Sequence, residues 1–323
     1  MDKNQVTESK PNASFFTWLL KILKLPLVIY KFLFYKEVRQ SLSGKVVLIT
    51  GASSGLGEAL CHVFYSAGAK VILAARRVEE LERVKSDLLL THSTTETSHP
   101  PVILKLDLTD LNELPNKVKE VLDIFGHIDI LVNNGGISVR SEAIKTKIDV
   151  DIKIMLTNYF GTVALTKSVL PSMIERKQGR ILCISSVQGK IAIPHRAAYS
   201  ASKHALQAFC DSLRAEVDEH NIKVTLISPG YISTNFSLNA LTGNGNLYGK
   251  MDATTEHGTD PLVMAKDILQ AVLRDKKDVI ICSLAPKLAY WLRFICPSLY
   301  FFIMSKRARK LSKQNNSSFN KED

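Results

Sequence analysis

Residues 45–57 read KVVLITGASSGLG, an apolar run that leads directly into a turn with three glycines. The apolar run is short, rich in β-branched residues and bounded by the turn, so it indicates a buried strand. In such a turn Gly51 lets the chain reverse sharply, Gly55 lets the backbone approach a pyrophosphate, and Gly57 lets the next helix pack close to the sheet. The start of that helix offers free N–H groups to a phosphate. The stretch therefore predicts a strand, a phosphate-binding turn and a helix.

The rest of residues 43–285 repeats this alternation of apolar runs and helical stretches. The runs are continuous rather than interrupted by polar residues, which is typical of strands buried on both faces of a parallel sheet. We therefore expect one α/β domain, a Rossmann-type doubly wound parallel sheet of about seven strands. The predicted strands are 45–50, 69–75, 101–108, 128–134, 180–186, 222–230 and 278–284, and the predicted helices are 55–67, 78–90, 111–125, 150–175, 197–219 and 261–274.

Net charge separates the chain into a nearly neutral middle and two basic ends. Residues 1–42 hold seven Lys/Arg and three Asp/Glu (+4), residues 286–323 hold eight and two (+6), and residues 43–285 hold 27 and 26 (+1). A nucleic-acid-binding protein more often carries its basic patch on the folded core, so no nucleic-acid partner is expected. The five cysteines include no CxxC pair, which argues against a disulfide scaffold and a zinc ribbon, and no metal is predicted.

The end of the second predicted strand indicates which dinucleotide the turn binds. An enzyme that uses NAD usually has Asp or Glu there to bind the ribose, but this chain has Ala75, followed by Arg76 and Arg77. A carboxylate repels a 2′-phosphate, whereas a guanidinium binds it. We therefore predict NADP(H) in preference to NAD(H), with Arg76 as the phosphate ligand and Arg77 as the second candidate. The alternative is that both arginines simply begin a solvated helix.

Tyr199 and Lys203 are four residues apart in a predicted helix, so they lie on one face, one turn apart. A free tyrosine has a pKa near ~10 and is a poor base at neutral pH. A nearby ammonium stabilises the phenolate and lowers that pKa. Ser186, at the end of the fifth predicted strand, could hold a substrate carbonyl oxygen while Tyr199 delivers the proton. Asn158 lies in the middle of a predicted helix, where its amide could bind a water in a proton relay.

These motifs resemble the short-chain dehydrogenase/reductase family over residues 43–285. The family's TGxxxGxG motif matches residues 50–57, and its NNAG motif matches residues 133–136 with glycine in place of alanine at 135. The resemblance implies a hydride-transferring oxidoreductase with a catalytic set of Asn158, Ser186, Tyr199 and Lys203. The residues predicted to bind the cofactor are Thr50, Gly51, Ser53, Ser54, Gly55, Leu56, Gly57, Arg76, Asp107, Leu108, Asn134, Tyr199, Lys203, Pro229 and Thr234.

Residues 236–262 are predicted to form a lid over the substrate. Its apolar side chains could line a path for a hydrophobic small molecule such as a steroid, a retinoid or a lipid ketone. A second interpretation, from a different class of protein, is a catalytically idle scaffold of the same fold that binds lipid or a partner protein. The complete catalytic set argues against that interpretation. The apolar lid residues are Phe236, Leu238, Leu241, Leu247, Tyr248 and Met251.

The two ends of the chain combine basic and aromatic residues, which is the composition of a membrane interface. Residues 1–42 include the stretch 15–36, which fits a helix lying in the interface, a spanning anchor, or a helix that docks on a partner. Residues 286–310 form a second amphipathic, basic segment, and residues 311–323 form a polar tail predicted to be disordered. The sequence 185–216 resembles a membrane-associated branch of the family.

We expect a membrane lipid surface as a partner, and an endoplasmic reticulum membrane with the catalytic domain in the cytosol. The glycosylation sequon at Asn235 supports this orientation, because a glycan there would obstruct the predicted cofactor site. The free cysteines favour the same side of the membrane, where thiols stay reduced. A homodimer or homotetramer is a further expectation.

Overall fold

The structure, a computed structural model, describes residues 42–92 and 99–319, with side chains as far as residue 312. The predicted anchor at residues 15–36 lies outside this part of the chain. Seven strands are described, close to their predicted positions. They are β1 (Val46–Thr50), β2 (Lys70–Ala75), β3 (Val102–Lys105), β4 (Ile130–Asn133), β5 (Gly179–Ile184), β6 (Ile222–Pro229) and β7 (Asp278–Ile281).

Helices connect these strands and cover both faces of the sheet. They are α1 (Gly55–Ser66), α2 (Val78–Thr91), α3 (Leu114–Phe125), α4 (Ile148–Met155), α5 (Gly161–Glu175), α6 (Ala197–Glu216), α7 (Ala253–Glu256), α8 (Pro261–Leu273), α9 (Leu284–Ile295) and α10 (Pro297–Phe319). A π-helical segment, Leu156–Phe160, joins α4 to α5, so the predicted helix 150–175 is one rod with a local change of winding.

The strands form one parallel sheet in the order β3-β2-β1-β4-β5-β6-β7, which confirms the predicted doubly wound α/β fold. Every residue of β1 is buried. Val47 and Ile49 face a cluster that includes Phe64 of α1, whereas Val46 and Leu48 face a cluster that includes Leu165 of α5. This burial on both faces explains why the strand sequences are continuously apolar.

The order of the strands indicates where along the sheet a ligand binds. Chain connections run in one direction from β1 through β2 to β3 and in the other direction from β4 to β7. Ligands of open α/β sheets bind outside the carboxyl ends of the strands where this direction changes. In this chain that point lies between β1 and β4, directly beside the glycine-rich turn.

The end of the chain is helical, which differs from the prediction for the tail 311–323. The segment 286–310 folds as two helices, because Pro297 lacks an N–H and Cys296 leaves the helical region with φ −139° and ψ 74°. The tail 311–323, predicted to be disordered, continues α10 as far as Phe319. Once a helix is nucleated, each added residue costs little, which accounts for the extension. Among the described helices, none is long and apolar enough to cross a membrane.

Candidate active site

Tyr199 and Lys203 lie one turn apart on α6, as their spacing predicts, and both are buried, with 6% and 4% of their surface exposed. The Lys203 Nζ lies 5.9 Å from the centroid of the Tyr199 ring. The Ser186 hydroxyl lies close enough to the Tyr199 phenol to lower its pKa. Three of the four residues predicted to carry the chemistry therefore meet beside the carboxyl end of β5.

The pKa of Tyr199 differs from the prediction, in which the nearby Lys203 lowers it. Burial raises the pKa of Tyr199 above its usual value, and the nearby Ser186 side chain and the charges of Arg140 and Arg196 oppose this effect only in part. The Nζ of Lys203 donates to the carbonyl oxygen of Ile184 at 2.9 Å. Burial also lowers the pKa of Lys203 to about 8, so its ammonium form is itself disfavoured.

Ser186 is held in place by the short turn that follows β5. Its backbone is extended, with φ −163° and ψ 159°, and its Oγ accepts a hydrogen bond from the N–H of Gln188 at 3.1 Å. The hydroxyl oxygen is thus the N-cap of the 3-10 turn Val187–Gly189. This arrangement leaves the hydroxyl hydrogen available for Tyr199 or for a substrate oxygen.

Asn158 lies within the π-helical segment and is buried. Its Nδ2 donates to the carbonyl oxygen of Ile137 at 2.9 Å and to Ser202 Oγ at 3.0 Å, and its Oδ1 accepts from the N–H of Ile137 at 2.8 Å. Both amide hydrogens are therefore used within the protein, and the binding of a water by this amide stays a prediction. Only the second lone pair of Oδ1 is left in this side chain for such a role.

The glycines after β1 form a cradle lined by backbone. Gly51 has a φ of +68°, and a Cβ there would lie 2.9 Å from the Cα of Gly135. A Cβ on Gly57 would lie 2.0 Å from the carbonyl oxygen of Gly51, so only glycine allows α1 to start so close to the turn. The free N–H groups at the start of α1 are present at this cradle, which fits the pyrophosphate of a dinucleotide.

Thr50 and Asn134 tie β1 to the loop after β4. Thr50 Oγ1 accepts hydrogen bonds from the N–H groups of Asn134 at 2.9 Å and Gly135 at 3.0 Å, and it donates to the carbonyl oxygen of Val132 at 3.2 Å. Asn134 Nδ2 donates to the carbonyl oxygen of Thr50 at 3.0 Å. These contacts shape one rim of the cradle. Direct binding of the cofactor by either side chain stays a prediction.

Arg77, rather than Arg76, reaches the glycine-rich turn. Arg77 Nη2 donates to Ser53 Oγ at 3.1 Å and to Ser54 Oγ at 3.2 Å. Arg76 is exposed to solvent, and Ala75 ends β2 with no carboxylate. Arg77 is the N-cap residue of α2, and its extended backbone, with φ −89° and ψ 97°, lies before the helix begins. The sequence showed both arginines, but it could not show which one contacts the two serines.

The remaining residues predicted to bind the cofactor lie in the turn or beyond the carboxyl ends of strands. Asp107 Oδ1 accepts hydrogen bonds from the N–H and the hydroxyl of Thr109, at 2.9 and 2.8 Å. Thr234 lies opposite Gly55, where a Cβ would be 3.2 Å from Thr234 Cγ2. The other members of this group are Leu56 in the turn, Leu108 after β3 and Pro229 at the end of β6.

Two buried arginines beside Tyr199 were missed from the sequence. Arg140 and Arg196 both donate to Asp252 Oδ2, at 2.7 and 2.9 Å, and only 8% and 7% of their side chains are exposed. One carboxylate thus faces two guanidinium groups, and Asp252 belongs to the lid. Burial and the charge of Arg140 lower the pKa of Arg196. No local motif could reveal the cluster, because Asp252 is 112 and 56 residues away from its partners.

The lid contacts Tyr199 directly. The ring of Phe236 lies 5.9 Å from the ring of Tyr199, centroid to centroid, with 60° between their planes. Leu241 is buried, and its carbonyl oxygen accepts from the N–H of Arg140 at 2.8 Å. Leu247 and Met251 are exposed to solvent. The predicted lid therefore has one part packed on the site and another part that faces outward.

One group of side chains outside the site could hold a metal ion. Among the described residues, Glu58, His62 and Asp87 bring one ligand atom each within 4.8 Å of one another. Arg83 already binds both oxygens of Glu58, at 2.8 and 2.9 Å, and His62 Nε2 is 3.2 Å from Asp87 Oδ2. The group lies between α1 and α2, and these contacts already link the two helices.

Comparison with known proteins agrees with this geometry. The family model described as short chain dehydrogenase matches residues 45–244. A "Dehydrogenase/reductase SDR family protein 7-like" from Anopheles gambiae is 65% identical over 93% of this chain and 96% of its own length. "Dehydrogenase/reductase SDR family member 7B" from Bos taurus is 48% identical over 90% and 89%. These two relatives bear the names of the family branch, member 7 and its B form, whose sequence residues 185–216 resemble.

Solved structures show the same fold. A metagenomic short-chain oxidoreductase, solved in complex with NADP, is 28% identical to this chain, with a TM-score of 0.61 over 75% of this chain and 98% of its own length. The glycine cradle, the tyrosine–lysine pair on α6, the matching family model and the close relatives all lead to one assignment. The chain belongs to the short-chain dehydrogenase/reductase family of oxidoreductases.

Proposed function

We propose that this protein is an NADP(H)-dependent oxidoreductase that interconverts a carbonyl and an alcohol on a hydrophobic, lipid-like substrate. The observation that carries the proposal is the buried Tyr199, which lies beside Ser186 and one turn before Lys203. The bound cofactor supplies or accepts the hydride. The chain's own side chains position the substrate and transfer the proton.

The role of each side chain follows from its surroundings. Ser186 donates its hydroxyl hydrogen to the substrate oxygen and so places that oxygen beside Tyr199. Because burial raises its pKa, Tyr199 is protonated at neutral pH and can donate a proton, which suits the reductive direction. Lys203 is held against the carbonyl oxygen of Ile184 and places its positive charge next to the phenol ring. Asn158 fixes the loop after β4 against α6.

The preference for NADP(H) rests on charge at the end of β2. A 2′-phosphate there would meet Arg77 together with Ser53 and Ser54, and Ala75 offers no carboxylate to repel it. Arg76 is close enough in sequence to contribute a second guanidinium. The similar metagenomic oxidoreductase was solved with NADP, which supports the same choice.

The preference for a hydrophobic substrate rests on the lid. Phe236 packs on Tyr199, so a substrate whose carbonyl reaches the tyrosine passes an aromatic ring. The outward-facing Leu247 and Met251 extend this apolar surface to solvent. A steroid, a retinoid or a lipid ketone has the required combination of one carbonyl and a large apolar body. Activity in lipid metabolism at the endoplasmic reticulum membrane, with the domain in the cytosol, is part of the proposal.

Self-association as a homodimer or homotetramer stays a prediction, and α4 with the π-helical segment offers a surface for it. Ile148, Ile152 and Phe160 are exposed along one side of this rod, which is the kind of surface that a second copy would cover. Sedimentation of purified protein, with Ile152→Asp as the disrupting variant, measures whether a homodimer or homotetramer forms on this face.

Purified protein mixed with NADPH and a panel of hydrophobic ketones and aldehydes tests the proposed function. We expect oxidation of NADPH that depends on the substrate and that Tyr199→Phe removes. The competing interpretation is an idle scaffold of the same fold that binds lipid or a partner protein. Tight binding of NADPH with no turnover on any member of the panel, in either direction, would support the idle scaffold.

A further inference from the structure

The last two described helices carry a surface that the catalytic domain does not use. No residue of α9 is buried, and the exposed side chains of α9 and the first turns of α10 are strongly apolar. Residues 284–310 also hold six Lys/Arg and no Asp/Glu. We call this the terminal surface. Its exposed apolar residues are Leu284, Leu288, Trp291, Phe294, Ile295, Leu299, Phe301, Phe302 and Ile303.

Within the terminal surface, cations lie on aromatic rings. Lys306 Nζ lies 4.4 Å from the centroid of the Phe302 ring, and the Arg293 guanidinium lies 5.3 Å from that of Phe301. Charged groups on long apolar stems, set directly among exposed rings, can stay at a polar boundary while the rings enter an apolar layer. This pairing occurs along both helices.

Two contacts join the terminal surface to the catalytic region. Tyr300 is 2% exposed, and its hydroxyl donates to the carbonyl oxygen of Ala192 at 2.8 Å, just before α6 begins. Arg307 Nη2 donates to the hydroxyl of Tyr231 at 3.3 Å, just after β6 ends. A cavity of about 260 Å³ lies between α9, α10 and residues 192–194. The terminal surface is therefore fixed beside the substrate side of the site.

The chemistry of the terminal surface selects one kind of partner. A contiguous apolar patch of this kind is uncommon on a soluble monomer and marks an interaction surface. Protein–protein interfaces are depleted in lysine, whereas an anionic bilayer attracts Lys/Arg and accepts Trp and Phe at its boundary. Six cations with no anion among them also oppose the face-to-face approach of a second copy of the same surface.

We propose that the terminal surface docks on an anionic lipid bilayer and that the substrate entrance faces that bilayer. The inference rests on the proposed function for its second half, since a bilayer-facing entrance matters only if the substrate is hydrophobic. The docking itself depends on charge and exposed apolar area alone. A membrane-resident carbonyl compound then reaches Phe236 and Tyr199 without crossing water.

Trp291 makes the docking measurable in the full chain. The protein has two tryptophans, Trp18 and Trp291, so Trp18→Phe leaves one reporter within the terminal surface. Its fluorescence is measured with phosphatidylcholine vesicles that contain brominated acyl chains, with and without phosphatidylserine. We expect quenching and a blue shift with the anionic vesicles, and at least a several-fold weaker response with the neutral ones. High salt should weaken the response as charges are screened.

Variant proteins assign the effect to these side chains. Lys306→Gln with Arg309→Gln should reduce vesicle affinity, measured through Trp291, by roughly 30-fold, since each basic residue near an anionic surface contributes about 1 kcal/mol and about 1.4 kcal/mol corresponds to a factor of ten. Lys119→Gln with Lys266→Gln, two exposed positions on α3 and α8, is the matched control and should leave the affinity unchanged. Equal affinity for both double variants would overturn the proposal.

The other outcomes are also decisive. Unquenched Trp291 in vesicle-bound protein would show that another segment binds the bilayer and would overturn docking by this surface. A Trp291 signal that depends on protein concentration without vesicles would assign the surface to a second copy. Turnover of a vesicle-embedded ketone should fall in the Lys306/Arg309 variant, with turnover of a water-soluble carbonyl unchanged. If neither compound reacts, the proposed function fails, while quenching of Trp291 still decides the docking.

Discussion

Around the cradle after β1, polar contacts come from backbone groups and small side chains, whereas beside Tyr199 they come from buried charges. Thr50 and Asn134 hold the cradle with neutral hydrogen bonds of 2.9 to 3.2 Å. On the substrate side, Arg140 and Arg196 converge on the single carboxylate of Asp252. The cofactor side, by which we mean the cradle after β1, therefore adds little electrostatic cost to folding. The substrate side, by which we mean the residues around Tyr199, holds charges that water no longer solvates.

This difference has a functional meaning. A dinucleotide brings its own negative charge, so a cradle of N–H groups binds it without any buried charge of the protein. The proton transfer that we propose at Tyr199, in contrast, needs an environment that can favour either form of the phenol. Burial raises its pKa, and the two arginines act in the opposite direction. Each prediction below changes one of these two sides.

The largest effect is expected from removal of the proton donor itself. Tyr199→Phe keeps the ring that packs on Phe236 but loses the hydroxyl. We expect kcat to fall by about 10²- to 10⁴-fold, the usual contribution of a general acid or base, with the Kd for NADPH little changed. Steady-state kinetics and a binding titration of the same sample separate the two quantities. Near-normal turnover would show that another group moves the proton.

The second effect concerns the buried charge cluster. Asp252→Asn leaves two buried guanidinium groups without a counter-charge, and breaking such a pair costs about 3–5 kcal/mol. We expect the free energy of unfolding in urea to fall by that amount. Asp211→Asn removes the partner of Arg214 in an exposed pair at 2.8 Å on α6, and it should cost less than about 1 kcal/mol. Similar losses for both variants would mean that the Asp252 cluster is no more buried than a surface pair.

The third effect tests the cofactor side. Loss of one charge-assisted phosphate contact costs roughly 1.5–3 kcal/mol, which corresponds to about 10- to 100-fold in affinity. We expect Arg77→Ala to weaken NADPH by this factor and Arg76→Ala to weaken it less, with NADH affinity barely changed in both. Isothermal titration with each cofactor measures this. A larger loss for Arg76→Ala would restore the assignment made from the sequence, and equal losses for NADPH and NADH would assign the arginines to the fold.

The same contrast explains what could be predicted from the sequence. The cofactor side is built by segments that are short and continuous, so the GASSGLG turn and the apolar strands showed it directly. Spacing along α6 also placed Tyr199 and Lys203 correctly. The cluster on Asp252 joins residues far apart in the chain, and Asn158 in the π-helical segment forms hydrogen bonds with Ile137 and Ser202, which are 21 and 44 residues away. Neither property has a local pattern.

The sequence also did not show the direction in which a side chain points. The sequence placed Lys203 near Tyr199, and from this proximity we expected a lowered tyrosine pKa. In the folded chain the Lys203 ammonium donates to the Ile184 carbonyl oxygen, and burial dominates the pKa of both residues. Burial of a whole segment is a tertiary property, and residue spacing does not report it.

Lys203 also gives the smallest expected change in stability and the clearest test of the cost of charge on the substrate side. Burial lowers its pKa from the model-compound value of 10.5 to about 8, so at pH 7 the folded chain carries an ammonium that it disfavours. At about 1.36 kcal/mol per pKa unit this amounts to roughly 3 kcal/mol. Lys203→Met removes that cost, but it leaves the carbonyl oxygen of Ile184 without its donor, which costs about 1–2 kcal/mol.

We therefore expect Lys203→Met to be inactive and yet more stable than the unmodified protein at pH 7, by about 1–2 kcal/mol. Between pH 8 and 10.5 the unfolded chain still binds the lysine proton and the folded chain does not, so the unmodified protein gains stability as pH rises through this window. The variant lacks this gain, and the difference should shrink and then reverse. Urea unfolding at pH 7 and near pH 10, with Lys119→Met as the exposed control, measures it. A difference that is the same at both pH values would show that Lys203 is not buried as a charged group.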